Sequence, residues 1–149
     1  MGIAVLSAMR SKDPNTQIGA CIIDEKKHIV ATGYNGFPIG CSDDELPWGR
    51  IGEKTETKYL YVVHAEQNAI TNATKTLDGC KIYLPLFPCN ECAKLIIQSG
   101  ITDVIYISDK YAELDEYKAS RKILEMSGIK LRQYTPKDSK LIINFDKIN

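Results

Sequence analysis

His64-Ala65-Glu66 and, further along, Pro88-Cys89-Asn90-Glu91-Cys92 are the stretches whose residue types and spacing could do chemistry. One imidazole and two thiolates form a borderline-soft ligand set that suits Zn²⁺. Three protein ligands leave a fourth position open, the arrangement of a catalytic rather than a structural site. Cys89 and Cys92 stand at the expected start of a helix, face the same way and lie at its positive end, which favours thiolates. Glu66, two residues after His64, places a carboxylate beside such a metal without ligating it, where it can carry protons. A Cys-x-x-Cys alone is more often half of a structural zinc site or a redox pair, but a structural site wants four protein ligands. The chain has only two histidines, and His28 falls in a charged turn that reads as solvated. Cys21 lies in an apolar strand, Cys80 begins another and Cys41 sits in a loop. Cys41 or Cys80 is the alternative fourth ligand.

The elements that must position these residues can be read from periodicity and punctuation. An apolar helix is predicted over 3–10, ending before Pro14, which disfavours helix at Asp13. Residues 18–23 and 29–34 read as two strands joined by the polar turn 24–28. Gly, Pro and polar residues make 35–58 a long loop, and a loop of that length in a compact domain usually has a task. Beyond it the pattern predicts a helix over 64–74, a strand over 80–85 and a helix over 90–99 closed by Gly100. A strand over 102–107, a helix over 115–127 closed by Gly128 and a strand over 129–133 complete the chain. Helices alternating with strands imply crossover units. The expectation is a single α/β domain over 1–149, with a mixed five-stranded sheet and helices on both faces.

Composition sets bounds. A chain of 149 residues fits one ordinary core. Lys plus Arg and Asp plus Glu are equal at 19 each, so the basic surplus of proteins that live on long phosphate backbones is missing. That argues against a nucleic-acid partner, though a local basic patch could still hold one phosphate. There is no apolar run long enough to span a membrane, and the start Met1–Leu6 is too short for a signal peptide. Five cysteines with no secretory signal read as thiols and metal ligands in a cytoplasmic protein, not as a disulfide framework.

His-x-Glu combined with Pro-Cys-x-x-Cys is the signature of zinc-dependent deaminases. The resemblance then narrows. Arg10-Ser11-Lys12-Asp13-Pro14-Asn15-Thr16-Gln17, Gly33-Tyr34-Asn35-Gly36-Phe37-Pro38, Cys41-Ser42-Asp43-Asp44, Phe87–Lys94 and Ser108-Asp109-Lys110-Tyr111 resemble the deoxycytidylate deaminase family, and the likeness covers nearly the whole chain. It implies a cytidine deaminase-like three-layer fold and hydrolysis of dCMP to dUMP and ammonia, which supplies dUMP for thymidylate synthesis. It also implies one catalytic Zn²⁺ per chain on His64, Cys89 and Cys92, with Glu66 moving protons from water to the pyrimidine N3 and the leaving amine.

For the substrate, the resemblance implies that Asn35 meets the sugar; Arg10 and Ser11, with Thr16 nearby, are candidates for the 5′-phosphate, because a guanidinium and hydroxyls supply suitable donors. The Ala65 amide would meet the pyrimidine O2, the Phe87 carbonyl would accept the amino group, and Tyr111 would pack alongside. A homo-oligomer, by resemblance a hexamer, is expected, with activation by dCTP and inhibition by dTTP. The effector's triphosphate and a Mg²⁺ would lie near Asn35, Gly36 and Asp43. Simpler readings stand beside these: a turn asparagine, a solvated arginine, a core or rim tyrosine, a solvated acidic loop.

Two departures are visible. The family usually has a longer first helix, which implies a segment preceding the one seen here, and Gln67 stands where an apolar residue is common. The rival readings are a related deaminase acting on free cytidine, guanine or a base in tRNA or single-stranded DNA, and a zinc-stabilised module without catalysis. Glu66 weighs against the second.

Overall fold

The computed structural model describes residues 1–148. Its elements follow the expected order: α1 (Gly2–Ala8), β1 (Gly19–Ile23), β2 (Ile29–Tyr34), α2 (Ala65–Thr71), β3 (Lys81–Leu86), α3 (Asn90–Gln98), β4 (Asp103–Ser108), α4 (Asp115–Met126) and β5 (Lys130–Gln133). The strands form one sheet in the order β2-β1-β3-β4-β5. β1 runs antiparallel to both β2 and β3, while β3, β4 and β5 are mutually parallel.

Two glycines show how the layers stack. Gly33 pairs across from Ala20, with Gly19 next to Ala20 along β1; directly paired residues share a face and chain neighbours take opposite faces. A Cβ on Gly33 would lie 2.3 Å from the Ala65 carbonyl and the Ala69 amide, and one on Gly19 would lie 2.0 Å from the Ala4 carbonyl. α2 therefore sits against one face and α1 against the other, each too close for any side chain at the contact. Ile22, Ile82 and Val104 stand in register on the α2 face. They join Ala69, Ala93, Ile96 and Leu124 of α2, α3 and α4 in one buried core. The result is the expected three-layer sandwich with helices on both faces.

Two helices are shorter than their apolar pattern suggested. α1 stops at Ala8, and Met9-Arg10 forms a turn. α2 stops at Thr71, whose hydroxyl donates back to the Gln67 and Asn68 carbonyls at 3.0 and 3.2 Å, a local bond that competes with helix continuation. Gly100 and Gly128 adopt φ of +79° and +78°, the left-handed helix ends read from the sequence. Within the long loop lie short 3-10 turns at Lys54–Glu56 and Lys58–Leu60.

Candidate active site

The site is assembled where two helices begin. His64 is the N-cap of α2 and Cys89 the N-cap of α3, so both helices aim unpaired N–H groups and the positive ends of their dipoles at one spot. Gln67 accepts the His64 amide proton at 2.8 Å, which fixes the backbone that carries the imidazole. Ser120 of α4, fully buried, donates to the Pro88 carbonyl at 2.8 Å and anchors the turn before Cys89.

His64 Nδ1 lies 3.3 Å from Cys92 Sγ and 3.5 Å from Cys89 Sγ. Among the described residues, these three form the His/Cys/Asp/Glu group whose ligand atoms could hold a metal, all within 4.8 Å of one another. Zinc bonds of about 2.3 Å to sulfur and about 2.0–2.1 Å to nitrogen at a tetrahedral angle put nitrogen and sulfur about 3.5 Å apart, so the spacing fits Zn²⁺. Cys41 and Cys80 are not part of the group. His28 is exposed, 3.3 Å from an Asp24 oxygen, as its charged turn implied.

The proton affinities of the cluster pull apart. A hydrogen bond from the Cys92 thiol, with His64 also beside it, brings Cys89 down to about 4. The bond to Cys89 and the nearby negative charges outweigh burial and raise His64 to about 9. Cys92 is pushed up, first by its bond to Cys89 and then by burial. The metal-free cluster is thus a Cys89 thiolate held by an imidazolium and a thiol. Glu66, 6% exposed, lies against Cys92, and burial raises its pKa above the usual carboxylate range. A buried carboxyl with a raised proton affinity is suited both to take and to return a proton.

Above the cluster opens a cavity of about 510 Å³, the volume of a small-molecule site. Its floor is His64, Glu66 and Cys89; Ala65, Phe87, Leu86 and Asn90 flank the floor. Thr16, Ile18 and Asn35, hydrogen-bonded to one another, form one wall, and Arg50, Tyr59, Tyr111 and Tyr117 complete the lining. Of the expected substrate residues, Thr16, Asn35, Ala65, Phe87 and Tyr111 come together here. Arg10 and Ser11 do not line it. Arg10 is exposed with its guanidinium 5.7 Å from the Tyr34 ring centre, and buried Ser11 accepts the Asp13 amide at 3.2 Å. Gly36 and Val63 form a β-bridge, joined by hydrogen bonds of 3.1 and 2.8 Å. Asp43 is paired with Lys12 at 2.7 Å, and neither Gly36 nor Asp43 lines the cavity.

The sequence reading passed over Asp13, Arg50 and Lys58, all cavity-lining. Arg50 donates through Nε to the Tyr59 hydroxyl at 3.0 Å. Asp13 lies in a stretch that carries the family resemblance but has no assigned role there, and Arg50 and Lys58 belong to no short chemical motif. Lys58 is legible only as a charged residue in a polar loop.

The family model "Cytidine and deoxycytidylate deaminase zinc-binding region" matches residues 1–108. The chain belongs to the cytidine and deoxycytidylate deaminase family and is a deaminase. It is 58% identical over 151 aligned residues to the deoxycytidylate deaminase of Homo sapiens, covering all of this chain and 85% of the human protein. With the Mus musculus deoxycytidylate deaminase the identity is 56% over 151 residues and the same coverage. In fold it resembles the dCMP deaminase of cyanophage S-TIM5 in complex with dCMP and dUMP. That match has a TM-score of 0.72 at 24% identity and covers 89% of this chain and 92% of the phage chain.

Proposed function

We propose that the chain hydrolyses dCMP to dUMP and ammonia, using one Zn²⁺ held by His64 Nδ1, Cys89 Sγ and Cys92 Sγ. The observation that carries this reading is the buried Glu66 beside the three-ligand cluster on the floor of a nucleotide-sized cavity. Bound there, Zn²⁺ supplies the Lewis acidity that makes water a nucleophile near neutral pH. Glu66 takes a proton from the attacking water and delivers it to N3, then takes the proton left on the new C4 hydroxyl and delivers it to the departing amine, so that water and dCMP give dUMP and ammonia. The Phe87 carbonyl orients the amino group, the Ala65 amide at the α2 start donates to O2, and Asn35 meets the sugar. Tyr111 packs along the nucleotide.

For the 5′-phosphate the cavity itself favours Arg50. Its side chain is an exposed part of the lining, bonded to Tyr59, and a guanidinium offers the donors a phosphate needs. Arg10 and Ser11, the residues expected from sequence, lie outside the lining. Thr16 stays on the wall.

The same reading extends to supply of dUMP for thymidylate synthesis in the cytoplasm, and to activation by dCTP and inhibition by dTTP. The effector and its Mg²⁺ would lie at Asn35, Gly36 and Asp43; Asp43 would then have to leave Lys12. A homo-oligomer, a hexamer by resemblance, is supported by the apolar residues Ile3, Val5, Leu6 and Met9 exposed on and just after α1. No helix among the described residues is long and apolar enough to cross a membrane. Ammonia release from dCMP, deoxycytidine and cytidine monophosphate tests the central reading. Fast turnover of dCMP alone is the expected result, and preference for the free nucleoside would overturn it.

A further inference from the structure

Beside the metal floor, the cavity wall contains a buried ion pair that the deamination chemistry does not use. The Lys58 ammonium donates to Asp13 Oδ2, with side chains 9% and 0% exposed. Burying two charges is costly, and such a pair is weak evidence of stability alone, so its geometry is the more informative feature.

Asp13 is fully engaged. Its Oδ1 accepts the amides of Asn15 and Thr16 at 2.8 and 3.2 Å, and its Oδ2 also accepts a proton from Asn35 Nδ2 at 3.1 Å. The second Nδ2 proton of Asn35 goes to the Thr16 carbonyl at 3.0 Å, and Asn35 Oδ1 accepts the Ile18 amide at 2.8 Å. This web admits one orientation of the Asn35 amide. Turned over, its oxygen would face a carboxylate and a carbonyl, and its nitrogen would face an N–H. Both amide protons are consumed, so what Asn35 can still offer the cavity is the second lone pair of Oδ1. Lys58 is held in turn by its backbone, donating to the Gly49 carbonyl at 3.0 Å and accepting the Val62 amide at 2.9 Å. The pair thus ties the end of the long loop to the wall that presents Asn35.

We infer that Lys58 and Asp13 form a positioning pair that fixes Asn35 as a hydrogen-bond acceptor for the sugar 3′-hydroxyl. The pair sets affinity for the nucleotide rather than the rate of the chemical step. The inference rests on the dCMP reading, and it makes Lys58 a positioning residue that acts through Asn35. Without the ammonium, Asp13 becomes a buried carboxylate with no counter-charge that must protonate or turn toward water, and the Asn35 amide is then held only by the Thr16 and Ile18 contacts, which loosens the aim of its oxygen.

The test is steady-state kinetics of the zinc-loaded full chain on dCMP and on 2′,3′-dideoxycytidine 5′-monophosphate, which lacks the hydroxyl. Lys58→Met is expected to raise the KM for dCMP about tenfold, the worth of one aimed hydrogen bond, with kcat and bound zinc nearly unchanged. The KM for the dideoxy substrate should stay where it is, and Lys58→Arg should restore part of the loss on dCMP. An equal rise in KM on both substrates, a fall in kcat with loss of zinc, or an unchanged KM for dCMP would each overturn the inference. Should Lys58→Met not fold, the Asp13→Asn/Lys58→Met double variant, which removes both charges, is read by the same comparison of substrates. If the unsubstituted chain releases no ammonia from dCMP, the functional reading falls, whereas turnover of dCMP with a substituted chain that behaves identically removes the positioning pair alone.

Discussion

The floor and the wall of the cavity are built on opposite plans. The floor takes His64, Glu66 and Cys89, with Cys92 buried directly beneath, from two short motifs, each at the first turn of a helix packed on the sheet. The wall joins residues far apart in sequence through polar bonds between loops, Asp13 with Lys58 and Asp13 with Asn35, and the same loops are tied outside the cavity by Lys12 with Asp43 and by Asn15 Nδ2 donating to the Trp48 carbonyl at 3.0 Å. The candidate metal ligands are thus held by helix starts that cannot shift without unpacking the core, and the residues proposed to meet the nucleotide lie on segments joined mainly through hydrogen bonds and ion pairs. The floor should govern rate, and the wall affinity and choice of substrate.

Breaking the floor should cost most. Glu66→Gln keeps the size and all three ligands but removes the proton carrier. Turnover should fall beyond the roughly 10²–10⁴-fold typical of a single acid–base role, with zinc content unchanged by elemental analysis. Retention of a tenth of the activity would remove Glu66 from the chemistry.

The wall should respond with smaller and more selective losses. Arg50→Ala is expected to lower kcat/KM on dCMP by about ten- to 150-fold, the worth of a charged hydrogen bond at about 1.5–3 kcal/mol, and to leave any weak activity on deoxycytidine unaltered. Arg10→Ala should change the ratio between the two substrates far less, because Arg10 stands outside the cavity. The opposite ranking would return the phosphate to Arg10, as the sequence suggested.

Metal uptake sharpens the contrast through protons rather than rate. At pH 7 His64, raised to about 9, and Cys92, pushed up, both carry protons, while Cys89, lowered to about 4, does not. Adding Zn²⁺ to the metal-free chain should therefore release about two protons per ion, because the ligands bind deprotonated. Calorimetry in two buffers of different ionisation enthalpy counts them. Release of none would mean that the ligand set is different.

The smallest effect belongs to the Asp13 carboxyl. Burial pushes its pKa up, but the Lys58 ammonium and the amides of Asn15 and Thr16 outweigh that and hold it below the usual 3.8. A group lowered on folding stabilises fully above its unfolded pKa and loses that contribution as pH falls through the folded one. Thermal unfolding of Asp13→Asn should show less dependence on pH than the unsubstituted chain between about pH 5 and about 3. Parallel curves would mean that the carboxylate contributes nothing there.

Much of the floor was legible because it is local. His-x-Glu and Cys-x-x-Cys each span a few residues, and a helix start brings such residues onto one face whatever surrounds them. The strands and helices were legible for the same reason, since alternation and helical periodicity are short-range signals, and only the helix ends at Ala8 and Thr71 strayed. Asn35, expected from resemblance, and Thr16, expected from its hydroxyl, line the cavity, whereas Arg10 and Ser11, expected for the same phosphate, do not. Arg50, Lys58 and Asp13 were invisible because a charged residue in a loop reads as solvated until the fold decides otherwise. The amino-acid sequence by itself determined the candidate ligand types, the carboxylate two residues from His64 and the order of the elements, all set by neighbours within a turn or two. Only the tertiary structure decided which charges are buried and whom they face, because Lys58 meets Asp13 45 residues away, through the closing of a loop that no local preference encodes.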